Sequence, residues 1–137
     1  MGLRSTIETP MIHYTLPALA HPKIPPLSLA CRIDNLIFVS GTPGYDDDMQ
    51  LESSFVAQFT SALRKLEITL AENGGSFETV VKVGIYLTRM DDLAEMNRLY
   101  GLAFTPGPYP ARTTVIVAGL PDPAMLVELD CVALVRP

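Results

Sequence analysis

The sequence predicts an α+β domain: a mostly antiparallel β-sheet with two helices packed on one face, in the order β-β-α-β-α-β-β. Three observations lead there. Five short stretches alternate apolar and polar residues, the period of a half-buried strand. Two longer stretches repeat their apolar residues at helical spacing. Turn-forming Gly, Pro, Asn and Asp cluster at the joins. Strands interleaved with helices in this order build a sheet layer covered by a helix layer. The 137 residues fit one domain, 1–137, that begins with an arm.

The arm is residues 1–26, rich in proline ("PALAHPKIPP"), with room for a short edge strand at "MIHYTL". "LSLACRI" alternates, with Leu27, Leu29, Cys31 and Ile33 on one face. Asp34-Asn35 is a turn signal and "LIFVSG" follows, so the pair reads as a hairpin. Gly41 to Gln50 is a loop. From Ser54 to Asn73 the period changes, and Phe55, Phe59, Ala62, Leu66 and Leu70 fall on one helical face. Gly74-Gly75 ends that helix, because glycine accepts the left-handed cap. "TVVKVGIYL" is the next strand, expected to turn Val81, Val83, Ile85 and Leu87 the same way. Asp91 or Asp92 is placed to cap a second helix with a Leu93, Met96, Leu99, Ala103 stripe. "TPGPYP" breaks it. Two strands, 111–118 and 125–135, close the chain around "GLPDPA", and the short join predicts an antiparallel hairpin.

Composition excludes several classes. No apolar run approaches the roughly 18 residues that a membrane helix needs. The N-terminus does not read as a secretion leader, so the cytoplasm is the expected compartment. The net charge is −5, and "RK" at 64–65 is the densest basic pair. Nucleic-acid binding needs a basic face, so none is expected. Cys31 and Cys131 sit in strand-like segments and read as small buried hydrophobes. With His13 and His21 the only histidines, no zinc spacing arises.

Three charged residues break the apolar pattern of the last two strands. Arg112 shares a face with Thr114 and Ile116, while Glu128 and Asp130 share one with Leu126 and Val132. In a hairpin, Arg112 would fall within a position or two of either acid. That spacing fits a structural ion pair at the sheet edge. It equally fits an anion site, in which a guanidinium fork grips a carboxylate and a nearby acid orients water. Spacing does not choose between them. Ser40-Gly41 at a strand end offers a backbone N–H, or is an ordinary turn. Gly84 inside a strand signals close approach by another element.

"YPARTTVIVAGLPDPAMLVELDCVAL", "NLIFVSGTPG" and "NGGSFETVVKVGIYLTRMDDLAEMNRLYGLAF" resemble three blocks of the RidA/YjgF family of enamine/imine deaminases. The match runs in order over roughly residues 25–136. The resemblance implies a chorismate-mutase-like fold and a homotrimer with active sites between subunits. It implies cofactor-free and metal-free hydrolysis of reactive enamines and imines bearing a carboxylate to a ketoacid and ammonia. By resemblance Arg112 anchors the substrate carboxylate and Glu128 positions the hydrolytic water. Ser40 lines the site, Gly41 gives a backbone donor, and Thr114 stands where many members have cysteine. The chain also departs from the family. Leu27 stands where a pocket tyrosine is frequent, and Tyr109 lies beside the arginine strand after a shortened connection. Both changes suit a larger or more apolar acid than 2-aminoacrylate, such as a 2-aminomuconate-like one. The same pocket could instead serve a non-enzymatic small-acid-binding module, and some members carry the name endoribonuclease.

Overall fold

The computed structural model describes residues 9–18 and 21–137; the first part of the expected arm and residues 19–20 lie outside the described residues. The strands are β1 (Ile12–Thr15), β2 (Ala30–Ile33), β3 (Leu36–Pro43), β4 (Val80–Leu87), β5 (Ala111–Ile116) and β6 (Val127–Leu134). The helices are α1 (Phe55–Glu72) and α2 (Leu93–Ala103). The strands form one six-stranded sheet in the order β1-β2-β3-β6-β4-β5. Every pairing is antiparallel except β4 with β5. The expected edge strand in the arm is β1.

The alternation in sequence becomes the two faces of this sheet. Ile37, Val39, Val83, Ile85, Leu87, Val127, Leu129, Cys131 and Ala133 are buried in one core with Phe55, Phe59, Ala62, Leu66 and Leu70 of α1. Met96 and Tyr100 of α2 join them. Burial of each large side chain contributes about 1.5–3 kcal/mol. The opposite face, which no helix covers among the described residues, holds Phe38, Tyr86, Glu128, Asp130 and Val132, all half-buried or exposed. Ser54 caps α1, its side chain accepting from the Ala57 N–H at 3.1 Å. Gly74 follows at φ 82°, where a left-handed residue is required. The β2–β3 hairpin turns at Asp34, φ 51°.

Three expectations are corrected. The last two strands form no hairpin: β6 lies between β3 and β4, while β5 lies parallel to β4 at the sheet edge. The reason is α2. A helix joining consecutive strands is a crossover, and a crossover sets its strands parallel. The central place then goes to β6, which alternates buried and half-buried residues, rather than to the exposed β5. Val81 is exposed and Val80 buried, because a register shift between Val80 and Lys82 turns the strand over. Asp92 stands at the N-cap position of α2, as expected, but its side chain makes no capping hydrogen bond; its carboxylate accepts instead from Arg89 Nε at 2.8 Å and Nη2 at 2.9 Å. Among the described residues no helix is long and apolar enough to cross a membrane.

Candidate active site

Arg112 stands on the edge strand. Its register with Val83 turns its side chain to the helix face, against α2. There Nη2 donates to Asn97 Oδ1 at 2.8 Å, and Nη1 lies 3.8 Å from Met96 Sδ. The guanidinium carbon sits 4.7 Å from the centre of the Tyr100 ring, a cation–π placement. Among the described residues no carboxylate pairs with Arg112. The anticipated meeting with Glu128 or Asp130 does not occur. Both acids project from β6 on the other face, with β4 in between. The structural ion pair is therefore not formed, and the guanidinium keeps donors to spare.

A cleft of about 370 Å³ opens beside this arginine, lined by Asn97, Tyr100, Gly101, Tyr109, Pro110 and Arg112. Tyr109 is 60% exposed, with its ring 6.3 Å from that of Tyr100. Burial pushes the Tyr100 phenol up to about 12, although Arg112 pulls it down. Tyr100 is thus a neutral platform at physiological pH. Thr114 shares the face of Arg112, and its Oγ1 is buried without a hydrogen-bond partner.

Glu128 belongs to a second, larger cavity of about 840 Å³. Leu27, Leu29, Ser40, Gly41, Tyr45, Pro121 and Met125 line it with Glu128, and it reaches Ile68 and Glu72 of α1. Gly41 makes room for the carboxylate, since a Cβ built there would overlap Glu128 Oε1. A bulge in β3 between Val39 and Thr42 brings the two residues together. Burial raises the Glu128 pKa first, and the charge of Asp130 raises it further. Among the described residues no hydrogen bond holds this carboxylate.

Asp130 is different, although it stands only two residues away on the same face. Tyr86 Oη donates to its Oδ2 at 2.9 Å, and the carboxylate rests where a Cβ of Gly84 would be. The element that approaches Gly84 closely is this side chain. One acid is tied down and the other is free. Ser40 lines the Glu128 cavity, but its hydroxyl donates to the Ser28 carbonyl at 2.6 Å. Leu27 is 38% exposed at the cavity wall.

Arg112 and Tyr109 thus gather at one cleft, with Thr114 on the same strand face but outside its lining, and Glu128, Gly41, Ser40 and Leu27 gather at another. Four contributors escaped the sequence reading. Asn97 and Tyr100 hold Arg112, but nothing in the pattern of α2 marks either. Tyr45 lines the Glu128 cavity beneath Lys23, whose Nζ lies 5.6 Å from its ring centre. Gln58 had a signal: a polar residue on the apolar face of α1. Among the described residues no three His, Cys, Asp or Glu side chains are grouped to hold a metal ion.

A family profile described as Endoribonuclease L-PSP matches residues 19–135. The 2-iminobutanoate/2-iminopropanoate deaminase of Mus musculus is 33% identical over 116 residues, 83% of this chain and 84% of that protein. The chloroplastic Reactive Intermediate Deaminase A of Arabidopsis thaliana is 34% identical over 110 residues, 79% of this chain and 58% of that protein. Among solved structures, RidA from the Antarctic bacterium Psychrobacter sp. PAMC 21119 superposes with a TM-score of 0.76 at 31% identity. That superposition covers 96% of this chain and all but 1% of the other, at 99%.

Proposed function

The chain belongs to the family described as Endoribonuclease L-PSP, the RidA/YjgF family, and on that premise we propose that it is an enamine/imine deaminase whose active site is shared between subunits of a homotrimer. Its substrates carry a carboxylate beside the C=N carbon, as 2-aminoacrylate-like and 2-aminomuconate-like intermediates do. The products are a ketoacid and ammonia.

One observation carries the reading. Arg112 presents an acid-free guanidinium on one face of the sheet, and Glu128 presents a hydrogen-bond-free carboxylate on the other. Their strands are two places apart, roughly 10 Å, and their side chains point away from each other. A small acid cannot touch both within one chain. Two copies related by a cyclic operation can bring the arginine cleft of one to the glutamate cavity of the next.

In such a site Arg112 grips the substrate carboxylate through two parallel hydrogen bonds. Its charge draws electrons from the adjacent carbon. The enamine tautomerises to the imine by losing a proton from nitrogen and gaining one at the neighbouring chain carbon. Glu128 accepts a proton from water as the water oxygen bonds to the imine carbon. The imine nitrogen takes up a proton as that bond forms, giving a neutral carbinolamine. A second proton, returned by Glu128, turns the amine into an ammonia leaving group, and the hydroxyl proton passes to water as the C–N bond breaks and the ketoacid C=O forms. A glutamate with its pKa raised toward the working pH suits a general base. Much of the acceleration comes from fixed position and fixed charge. A cytoplasmic location completes the proposal, and cell fractionation tests it.

Mixed assembly tests the shared site. Arg112→Ala and Glu128→Gln homotrimers should each release little ammonia from enzymatically generated 2-aminoacrylate. After joint unfolding and refolding at equal amounts, about a quarter of the interfaces join an intact arginine to an intact glutamate. Activity should recover to about that fraction of wild type. Mixtures as inactive as their components refute the shared site. Wild-type protein that releases no ammonia from any such imine refutes the activity and leaves a small-acid-binding module.

A further inference from the structure

We propose that Gln58 is the positioning residue for Glu128: one buried amide on α1 fixes where β6 enters the cavity. This rests on the deaminase reading above and adds a residue to its machinery.

Gln58 is 1% exposed and lies among Phe55, Phe59 and Ala62 on the core side of α1. An amide there is costly unless both of its ends are hydrogen-bonded. Both ends are. Its Oε1 accepts from the Leu126 N–H at 2.8 Å, and its Nε2 donates to the carbonyls of Ala124 at 3.0 Å and Glu52 at 2.9 Å. Two of these bonds seize the chain immediately before β6. From the other side, Thr88 N–H donates to the Leu126 carbonyl at 3.2 Å, and Thr88 Oγ1 donates to that of Met125 at 3.3 Å. Leu126 is therefore tied through both its backbone groups, two residues before Glu128.

The third bond reaches the base of the loop that carries Tyr45, a lining residue of the same cavity. Glu52 closes the loop that carries Tyr45, and its N–H donates to the Gly44 carbonyl at 3.2 Å. Gly44 lies so close to the backbone of Gln58 that a Cβ would overlap it. One turn of α1 thus seats both the Tyr45 loop and the lead-in to Glu128.

Glu128 needs such a support because among the described residues nothing bonds to its carboxylate. Its place follows from its backbone and from the gap over Gly41. An ångström of slack in β6 becomes an ångström of error at the base, and errors of that size cost about hundredfold in rate. The residues that line the arginine cleft, Asn97, Tyr100, Gly101, Tyr109, Pro110 and Arg112, include none of this clamp, so substrate anchoring is untouched.

The test compares Gln58→Met, which keeps the volume but removes all three bonds, with Gln58→Glu. A protonated glutamic acid retains the acceptor for Leu126 and one donor. Circular dichroism and light scattering establish folding and assembly. With enzymatically generated imines, kcat of Gln58→Met should fall about ten- to a hundredfold while KM stays within about threefold. The acid limb of its kcat profile should also move down in pH, as water reaches Glu128. Gln58→Glu should keep more activity at low pH and lose it as pH rises through its own titration. Assembled Gln58→Met with wild-type kcat and an unmoved acid limb overturns the proposal. If Gln58→Met does not fold, a pH-independent loss in folded Gln58→Glu overturns it. Carboxyl-carbon NMR gives a readout without turnover: the Glu128 titration midpoint should be lower in the Gln58 variant than in wild type. Equal midpoints overturn the positioning role even if wild-type protein proves to have no deaminase activity, the outcome that would defeat the function itself.

Discussion

Replacing Arg112 by lysine separates charge from shape. Asn97 takes one of the guanidinium's donors, and among the described residues no acid takes any. The planar fork is then open to a substrate carboxylate, whereas a lysine ammonium keeps the charge but cannot supply two parallel bonds. A hydrogen bond to a charged group contributes about 1.5–3 kcal/mol, and every ~1.4 kcal/mol is tenfold. Loss of one such bond should lower kcat/KM roughly ten- to a hundredfold. Arg112→Ala, which loses the charge too, should lose more. Stability should barely respond, because no ion pair is broken. What disappears is the exposed bond to Asn97 and the contact with Tyr100, worth about 0.5–1 kcal/mol. The melting temperature should fall by only a few degrees. Ammonia release from enzymatically generated 2-aminoacrylate gives kcat/KM, and thermal unfolding by circular dichroism gives Tm. Arg112 variants that melt far earlier but keep full specific activity while folded would refute the carboxylate anchor and assign the residue to stability.

Glu128→Gln should abolish most turnover, whereas Asp130→Asn should leave most of it; the reverse result in steady-state assays would exchange their roles. Since Asp130 raises the Glu128 pKa, Asp130→Asn should move the acid limb of kcat/KM to lower pH, and an unmoved limb counts against Glu128 as the base. The raised folded pKa also fixes a sign in stability: the Glu128 contribution is full below the unfolded carboxyl pKa and is lost as pH rises through the folded one. Glu128→Gln should therefore melt no lower than wild type at neutral pH, with the difference closing below about pH 4, as parallel thermal scans would reveal. Gly41→Ala should cost activity with assembly retained, because its Cβ would occupy the carboxylate's space; full activity in that variant would mean the carboxylate works elsewhere. Light scattering should give three chains per particle at micromolar concentration, and a stable monomer would remove the second wall of the site.

Periodicity made the elements legible, but the partners of the last strands were not. Phe55, Phe59, Ala62, Leu66 and Leu70 announce α1 because helical spacing and burial coincide there. The alternation in 125–135 correctly puts Glu128 and Asp130 on one face and Leu129 and Cys131 on the other. Alternation says nothing of neighbours, however, and a short join suggests a hairpin where the chain makes none. The α2 crossover decides the matter, and its consequence is large: Arg112 and Glu128 exchange a shared face for opposite ones. The candidate residues stood out by type, a guanidinium and two carboxylates in apolar strands. The structure leaves the guanidinium without an acid and Glu128 without a hydrogen bond among the described residues. Their supports stood out less. Asn97 reaches Arg112 from 15 positions away in sequence, and Gln58 reaches Leu126 from 68.

The charge map narrows what can occupy the arginine cleft. Arg64, Arg89, Arg98 and Arg136 each face an acid, at Asp47, Asp92, Glu95 and Glu78. Among the described arginines only Arg32 and Arg112 do not. A chain with net charge −5 repels a polyanion at distance, and tracking RNA requires a row of cations along the phosphates. One unpaired guanidinium in a cleft of about 370 Å³ offers no such row. It suits instead the single-carboxylate grip proposed above, because the guanidinium lies against the Tyr100 ring with Asn97 taking one donor. The family description that matches this chain names an endoribonuclease, yet these electrostatics favour a small carboxylic acid over a polyanion. RNA cleavage by protein purified to constant specific activity, lost in Arg112→Ala, would overturn that argument. Ammonia release lost in the same variant, with RNA left intact, would uphold it.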